Sequence, residues 1–365
     1  MSSTPQPVAV VIGTGLIGAS IGSALSAAGW AVHLSDRTLA HARVAASLGA
    51  GTIEPPVSID VDLVIVAVPP GAIAEVVAQA LGTYPRATVT DVGSVKAGVL
   101  HAVWQHEVDH GRYVGSHPMA GSQHSGPMTA HADLFADRTW VITPHRRSAP
   151  LSVDRVADLV QACRARPVLM DVDDHDAAVA RVSHLPHLMS VLMAGHLTAV
   201  SETDLLLAGQ GLRDVTRIAS SDPSLWEQIL EANSEALLTE LRGVRGELSR
   251  LIEAVESAPA AGRPVTAAPT ALRDQLDRGV RGTRRIPGKH GAAPVSYRQI
   301  VVAIPDAPGA LARLFADVEA AGVNVEDIAI EHDQTREIGY LALSVAPERA
   351  YRLVATMVER GWSVG

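Results

Sequence analysis

The feature that most constrains this chain is Gly13-Thr14-Gly15-Leu16-Ile17-Gly18, which follows the β-branched run PVAVVIG and opens an Ala-rich helical stretch. That strand-turn-helix setting is what the GxGxxG fingerprint of a dinucleotide-binding βαβ unit requires. Gly13 permits the tight turn, Gly15 lets backbone approach a pyrophosphate, and Gly18 allows close helix-to-strand packing. The phosphates then sit on the helix N-terminus beside Leu16 and Ile17. Asp36 closes the second strand, where a carboxylate accepts hydrogen bonds from an adenosine ribose and repels a 2′-phosphate. NAD is therefore expected over NADP, with the adjacent Arg37 softening the preference. Val68 and Pro69 end the third strand on the same sheet edge and are expected to border the nicotinamide.

At 365 residues the chain is long enough for two or three domains. Apolar residues make up 47% and aromatic ones 3%, so the core must be aliphatic. A single cysteine, Cys163, cannot form an intramolecular disulfide, and no stretch approaches the ~20 apolar residues of a membrane span. The N-terminus lacks the basic region and cleavage site of a signal peptide. A soluble, cytoplasmic protein with no membrane partner is expected. A net charge of −9, with Lys96 and Lys289 as the two lysines, argues against nucleic acid as a partner.

The patterning predicts an α/β protein in four parts. Residues 1–172 alternate apolar runs with helical stretches and read as a Rossmann-type doubly wound parallel sheet. Its strands fall at PVAVVIG, AVHLSD, DLVIVAVP and ATVTDVGS, with further strands at YVGSHP, TWVITP and PVLMD. Residues 173–257 turn helical, and the clearest helix begins at the N-cap Asp222 with Pro223 at its first position. It continues through Leu237, Leu241, Val244, Leu248, Leu251 and Val255, a stripe suited to a homodimer interface. Residues 258–297 read as a solvated linker. Residues 298–365 read as a small βαββαβ module.

Polar residues with shape-defining Gly or Pro gather in DVGSVK, SHPMAG, HDAAVARVSHLPH and LRDVTRIASSDPSLW. Taken singly, each has a bland explanation as a loop histidine or a surface charge. In this order, and behind GTGLIG, they resemble the prephenate dehydrogenases of tyrosine biosynthesis and their arogenate-using relatives. The resemblance covers about Pro7 to Ser257. The C-terminal module resembles an ACT domain through PDAPGAL from Pro305.

The resemblance implies NAD-dependent oxidative decarboxylation of a cyclohexadienyl ring. Hydride leaves C4 for NAD, the C4 hydroxyl loses its proton, and the ring carboxylate departs as CO2, giving 4-hydroxyphenylpyruvate from prephenate. His117 matches the family's base, for which neutral imidazole suits. Ser94 matches the serine that orients the C4 hydroxyl. Arg217 matches the arginine that anchors a substrate carboxylate. His187 matches a substrate-pocket histidine, His184 and Arg213 take secondary positions, and Trp226 is expected to reach a neighbouring subunit's pocket. Gln123, where relatives often carry an acid, favours prephenate over arogenate. In the ACT-like module Asp306, Gly309, Ala310 and Asn324 would hold a feedback effector, tyrosine or phenylalanine.

Two other readings compete. A 3-hydroxyacid or imine dehydrogenase shares the dinucleotide domain, but such relatives usually place a catalytic lysine in the second domain, and none lies between Lys96 and Lys289. An amino-acid-sensing regulator would not need His117, Ser94 and Arg217 together. A metal site from His175, His184 and His187 is disfavoured, since Pro186 interrupts the helical spacing and no thiolate supports it.

Overall fold

Four β-branched runs in the first ninety residues build the sheet on which the site rests. In a computed structural model, which describes residues 6–120, 126–257, 271–286, 297–333 and 338–365, these are Val8–Ile12 (β1), Ala31–Ser35 (β2), Leu63–Val66 (β3) and Thr88–Asp91 (β4). They pair in parallel in the order β2-β1-β3-β4. Every residue of β3 and β4 is buried, as expected for strands covered on both faces. The crossovers are the helices Leu16–Ala27 (α1), Leu39–Ser47 (α2) and Ile73–Thr83 (α3). Ala97–Val103 (α4) follows β4.

The remaining strands of the Rossmann-type domain do not lengthen this four-stranded ladder. Gly115–Pro118 (β5), Thr139–Thr143 (β6) and Arg166–Leu169 (β7) form their own three-stranded sheet, antiparallel between β5 and β6 and parallel between β6 and β7. One parallel bridge, Val89 to Tyr113, joins it to β4. The reason is the connection: among the described residues no α-helix separates β5 from β6, whereas Pro150–Ala162 (α5) separates β6 from β7. Phe135, Trp140 and Ile142 of this region share a core with α1, α2 and α5.

From Val172 onward the first unit, residues 1–250, is helical. Val172–Val179 (α6) runs through a wider π turn, Ala180–His184, into Leu185–His196 (α7). The turn has a local cause in Pro186, which lacks the N–H that an unbroken α-helix would need there. Glu202–Leu205 (α8), Gln210–Thr216 (α9), Pro223–Ala232 (α10) and Ser234–Glu256 (α11) follow. Asp222 caps α10 through Ser224 N–H at 3.0 Å. The single long helix expected from Asp222 is in fact two, because Asn233 leaves the helical conformation and its buried amide is committed to tertiary partners. Leu248, Leu251 and Val255 of the expected stripe are exposed, as are Leu192, Leu206 and Leu207.

The second unit spans residues 251–365. Within the stretch read as linker, Ala271–Thr283 (α12) is a helix. Leu272, Leu276 and Val280 recur every four residues, a period masked in the sequence by the surrounding Arg and Gly. Arg298–Pro305 (β8), Ala310–Ala320 (α13), Asp327–Asp333 (β9), Ile338–Val345 (β10), Pro347–Glu359 (α14) and Ser363–Val364 (β11) complete a βαββαβ unit. Its antiparallel sheet has the order β11-β8-β10-β9, over a core that includes Val302, Leu314, Leu341, Leu353 and Trp362. Asp317 joins helix to strand there, accepting from Trp362 Nε1 at 2.8 Å and Arg360 Nη1 at 3.2 Å.

Candidate active site

At the glycine turn, Gly13 has φ +94° and a Cβ would run into the Ala67 carbonyl, so only glycine fits. Gly15 faces open space, and α1 begins there without a side-chain cap. The first turn, with Leu16, Ile17 and Gly18, thus offers free backbone N–H groups to an anion. Asp36 stands at the end of β2, but its carboxylate is largely committed. It accepts from Thr14 N and Thr14 Oγ1 at 2.7 and 2.9 Å and from Thr38 N at 2.7 Å. Burial alone would push its pKa up, but those hydrogen bonds and His41 outweigh it and hold the carboxyl below its usual range. Arg37 and Pro69 are exposed and Val68 is half-buried.

The ends of β4 and β5 border a second group of polar side chains. A cleft of about 290 Å³ is lined by Ser94, His117, Met119, Ala120, Ser183, His184, Trp226 and Ile229. The structure therefore gathers Ser94 from the turn after β4, His117 from β5, His184 from the π turn and Trp226 from α10. His117 Nδ1 lies 2.9 Å from His175 Nε2, and His175 Nδ1 lies 2.8 Å from Asp176 Oδ1. Asp176 also accepts from Lys96 N and Ala97 N at 2.9 and 2.8 Å, closing the N-terminus of α4. Asn233 Nδ2 reaches the Asp176 carbonyl at 2.8 Å and His184 Nδ1 at 3.1 Å. His187 lies behind the cleft, stacked on Trp226 at 3.5 Å with the rings 3° from parallel.

Beneath His117 sits a buried ion pair. Lys96 Nζ donates to Asp91 Oδ2 and, at 2.8 Å, to Ser116 O. Tyr113 donates its hydroxyl to Asp91 Oδ1 at 2.8 Å. Desolvation, with the charges of His175, Lys96 and His184 added, pushes His117 well below the ordinary histidine value. Burial, helped by His175 and His187 and opposed by Asp176, pushes His184 down to about 4. Both imidazoles are neutral at physiological pH, as a proton acceptor and an uncharged donor require. Cys163 is buried elsewhere, its thiol pushed up to about 12, and is inert.

Other expected residues fall outside this group. Arg213 and Arg217, at α9 and the turn after it, are exposed and do not line the cleft. Gln123 lies outside the described residues. Trp226 lines the cleft of its own chain. Asp306, Gly309 and Asn324 are exposed at the start of α13 and before β9. Gly309 has φ +86°, and Asn324 donates to Glu326 at 2.6 Å. Among the described residues no three acidic, His or Cys side chains are grouped to hold a metal, and no helix is long and apolar enough to cross a membrane. The sequence reading missed the supporting roles of His175, Asp176 and Asn233. A signal existed, since Asp176 and His184 are eight residues apart, near one face of a helix.

Over 356 residues the chain is 33% identical to the Streptomyces niveus protein named "Probable prephenate dehydrogenase NovF", covering 97% of this chain and 98% of that one. The chain belongs to the prephenate dehydrogenase family. It is thus an oxidoreductase, and two sequence models of the family match: the prephenate dehydrogenase nucleotide-binding domain at residues 21–169 and the prephenate dehydrogenase dimerization domain at 171–262. A prephenate dehydrogenase of Bacillus subtilis is 30% identical over 262 residues, 70% of this chain and 67% of that one. The crystal structure of Synechocystis arogenate dehydrogenase superimposes with a TM-score of 0.63 at 26% identity, covering 76% of this chain and 98% of that one.

The Lys96–Asp91 pair is fully buried. Lys96→Met leaves a buried carboxylate without its cation and is expected to cost about 3 to 5 kcal/mol in urea unfolding. A loss below about 1 kcal/mol would contradict the buried pair.

Proposed function

We propose that this chain oxidises prephenate with NAD to 4-hydroxyphenylpyruvate and CO2. The observation that carries the reading is His117 at the cleft wall, neutral, with Nδ1 engaged by His175 and Ser94 beside it. That arrangement leaves Nε2 to take a proton from a bound hydroxyl. The glycine turn, the uncapped N-terminus of α1 and Asp36 fit a dinucleotide, with Asp36 favouring NAD over NADP. When bound, NAD supplies a hydride acceptor.

The chain's residues do the rest. Ser94 fixes the C4 hydroxyl, His117 Nε2 takes its proton as the hydride departs, and the ring carboxylate leaves as CO2. The proton returns to oxygen as the ring aromatises, so the net products are CO2, the phenol and the reduced dinucleotide. His184 offers an uncharged N–H to a substrate oxygen, while Trp226, held by His187, packs the ring face. Among the described residues the lining of the cleft carries no cation, and the family resemblance assigns the anchoring of a substrate carboxylate to Arg217, with Arg213 as the alternative. The exposed apolar residues of α7, α8 and α11 support a homodimer. The C-terminal module is proposed as an ACT domain that binds tyrosine or phenylalanine near Gly309, Ala310 and Asn324, on the strength of its βαββαβ order and open loop.

NADH formation from prephenate, compared with arogenate by kcat/KM, tests the reaction. His117→Asn is expected to lower kcat by roughly 10² to 10⁴ with little change in KM. Retention of most of the turnover would remove His117 from the role of base. Arg217→Gln is expected to raise KM, and an unchanged KM and kcat/KM moves the anchor to Arg213. For the effector, calorimetry on the full chain is expected to show heat with tyrosine or phenylalanine; no heat with either leaves the module structural.

A further inference from the structure

His117 and His184 line one cleft, yet the partners of their Nδ1 atoms are of opposite kind. The Asp176 carboxylate already accepts two backbone N–H groups, from Lys96 and Ala97. It is an acceptor towards His175 as well, so His175 Nδ1, 2.8 Å from Oδ1, carries a hydrogen. In its neutral form His175 then presents a lone pair at Nε2, and the hydrogen in the 2.9 Å bond to His117 belongs to His117 Nδ1. His117 keeps its lone pair on Nε2.

On the other side the logic runs through Asn233. Its amide nitrogen lies 2.8 Å from the Asp176 main-chain carbonyl, which can only accept, so the group there is the NH2 and not the oxygen. The second amide hydrogen faces His184 Nδ1 at 3.1 Å. That nitrogen must accept, and neutral His184 carries its hydrogen on Nε2.

We infer that Asp176, through its carboxylate to His175 and its carbonyl to Asn233, locks the two cleft histidines in opposite tautomers, His117 as proton acceptor and His184 as hydrogen-bond donor. His175 and Asn233 are positioning residues in this arrangement. The assignment of chemical roles rests on the prephenate reading; the tautomers themselves do not. When His117 takes the hydroxyl proton it becomes an imidazolium whose Nδ1–H still points along the chain to Asp176. His184 hydrogen-bonds a substrate oxygen without adding a charge that would repel that imidazolium. Burial supports the arrangement: His175 is fully inaccessible and Asp176, His184 and Asn233 are all buried, so water does not compete for these bonds.

The test is nitrogen NMR on the full chain with ¹⁵N-labelled histidine, at a pH about one unit above the ordinary histidine value of ~6.5. Signals are assigned by their loss in His117→Asn and His184→Asn. The expected result is a protonated Nδ1 in His117 and a protonated Nε2 in His184; the same tautomer in both overturns the inference, whatever the enzyme does to prephenate. Asn233→Asp, which replaces the donor with an acceptor, is expected to move the His184 hydrogen to Nδ1 and raise KM by about 10- to 100-fold, with a smaller effect on kcat. His175→Gln is expected to lower kcat by a similar factor with KM nearly unchanged. An Asn233→Asp protein with wild-type KM and an Nε2–H His184 overturns the role of Asn233. Should either variant fail to fold, the spectrum of the unaltered chain still decides.

Discussion

The site depends on one carboxylate. Asp176 is buried, and its two oxygens accept from Lys96 N, Ala97 N and His175 Nδ1 while its carbonyl takes the Asn233 amide. It thereby closes the N-terminus of α4, where a negative charge is favourable, and fastens α6 to the turn after β4. Ser94 belongs to that turn and His117 hangs on His175, so the serine and the proposed base are registered against each other by the same group. Losing it would leave several buried donors unpaired, each at a cost of about 1 to 3 kcal/mol.

Electrostatics reinforces this geometry. The Lys96 ammonium is neutralised by Asp91 but remains close enough to His117 to oppose a second positive charge there. Desolvation pushes the Tyr113 phenol well above its ordinary value, and Asp91 pushes the same way, so it stays a hydrogen-bond donor to that carboxylate. A buried cation paired with a buried anion thus sits below a neutral imidazole. That environment suits the proposed base, which must be unprotonated before it takes a proton.

Much of this was legible from residue patterns, and the failures have physical causes. The βαβ start was readable because GTGLIG must meet a strand and a helix at once, and the C-terminal strands because QIVVAI and YLALSV are bounded by turn residues. The pairing of the three-stranded sheet was not legible, since the YVGSHP run does not show which neighbour it pairs with. The break at Asn233 was hidden because the stripe from Leu237 onward keeps helical period, while the amide's partners lie 49 and 57 residues away in sequence. The helix α12 was obscured by glycines and arginines around a sparse apolar repeat. Motif reading singled out Ser94, His117 and His184, which the fold gathers in one cleft, but assigned Trp226 to a neighbouring subunit's pocket, and His175 and Asp176 look like ordinary helix polar residues until the fold brings His175 onto β5.

The most direct test of the account is the pH dependence of kcat/KM for prephenate with saturating NAD. In the proposed role only neutral His117 accepts the hydroxyl proton, so activity is expected to fall as pH drops through its pKa. Because desolvation and nearby positive charge lower that pKa well below the ordinary ~6.5, the neutral form persists to lower pH and the acid limb lies below that value. An acid limb at or above it would mean that His117 is not held in the buried, cation-flanked setting described, and would contradict the account.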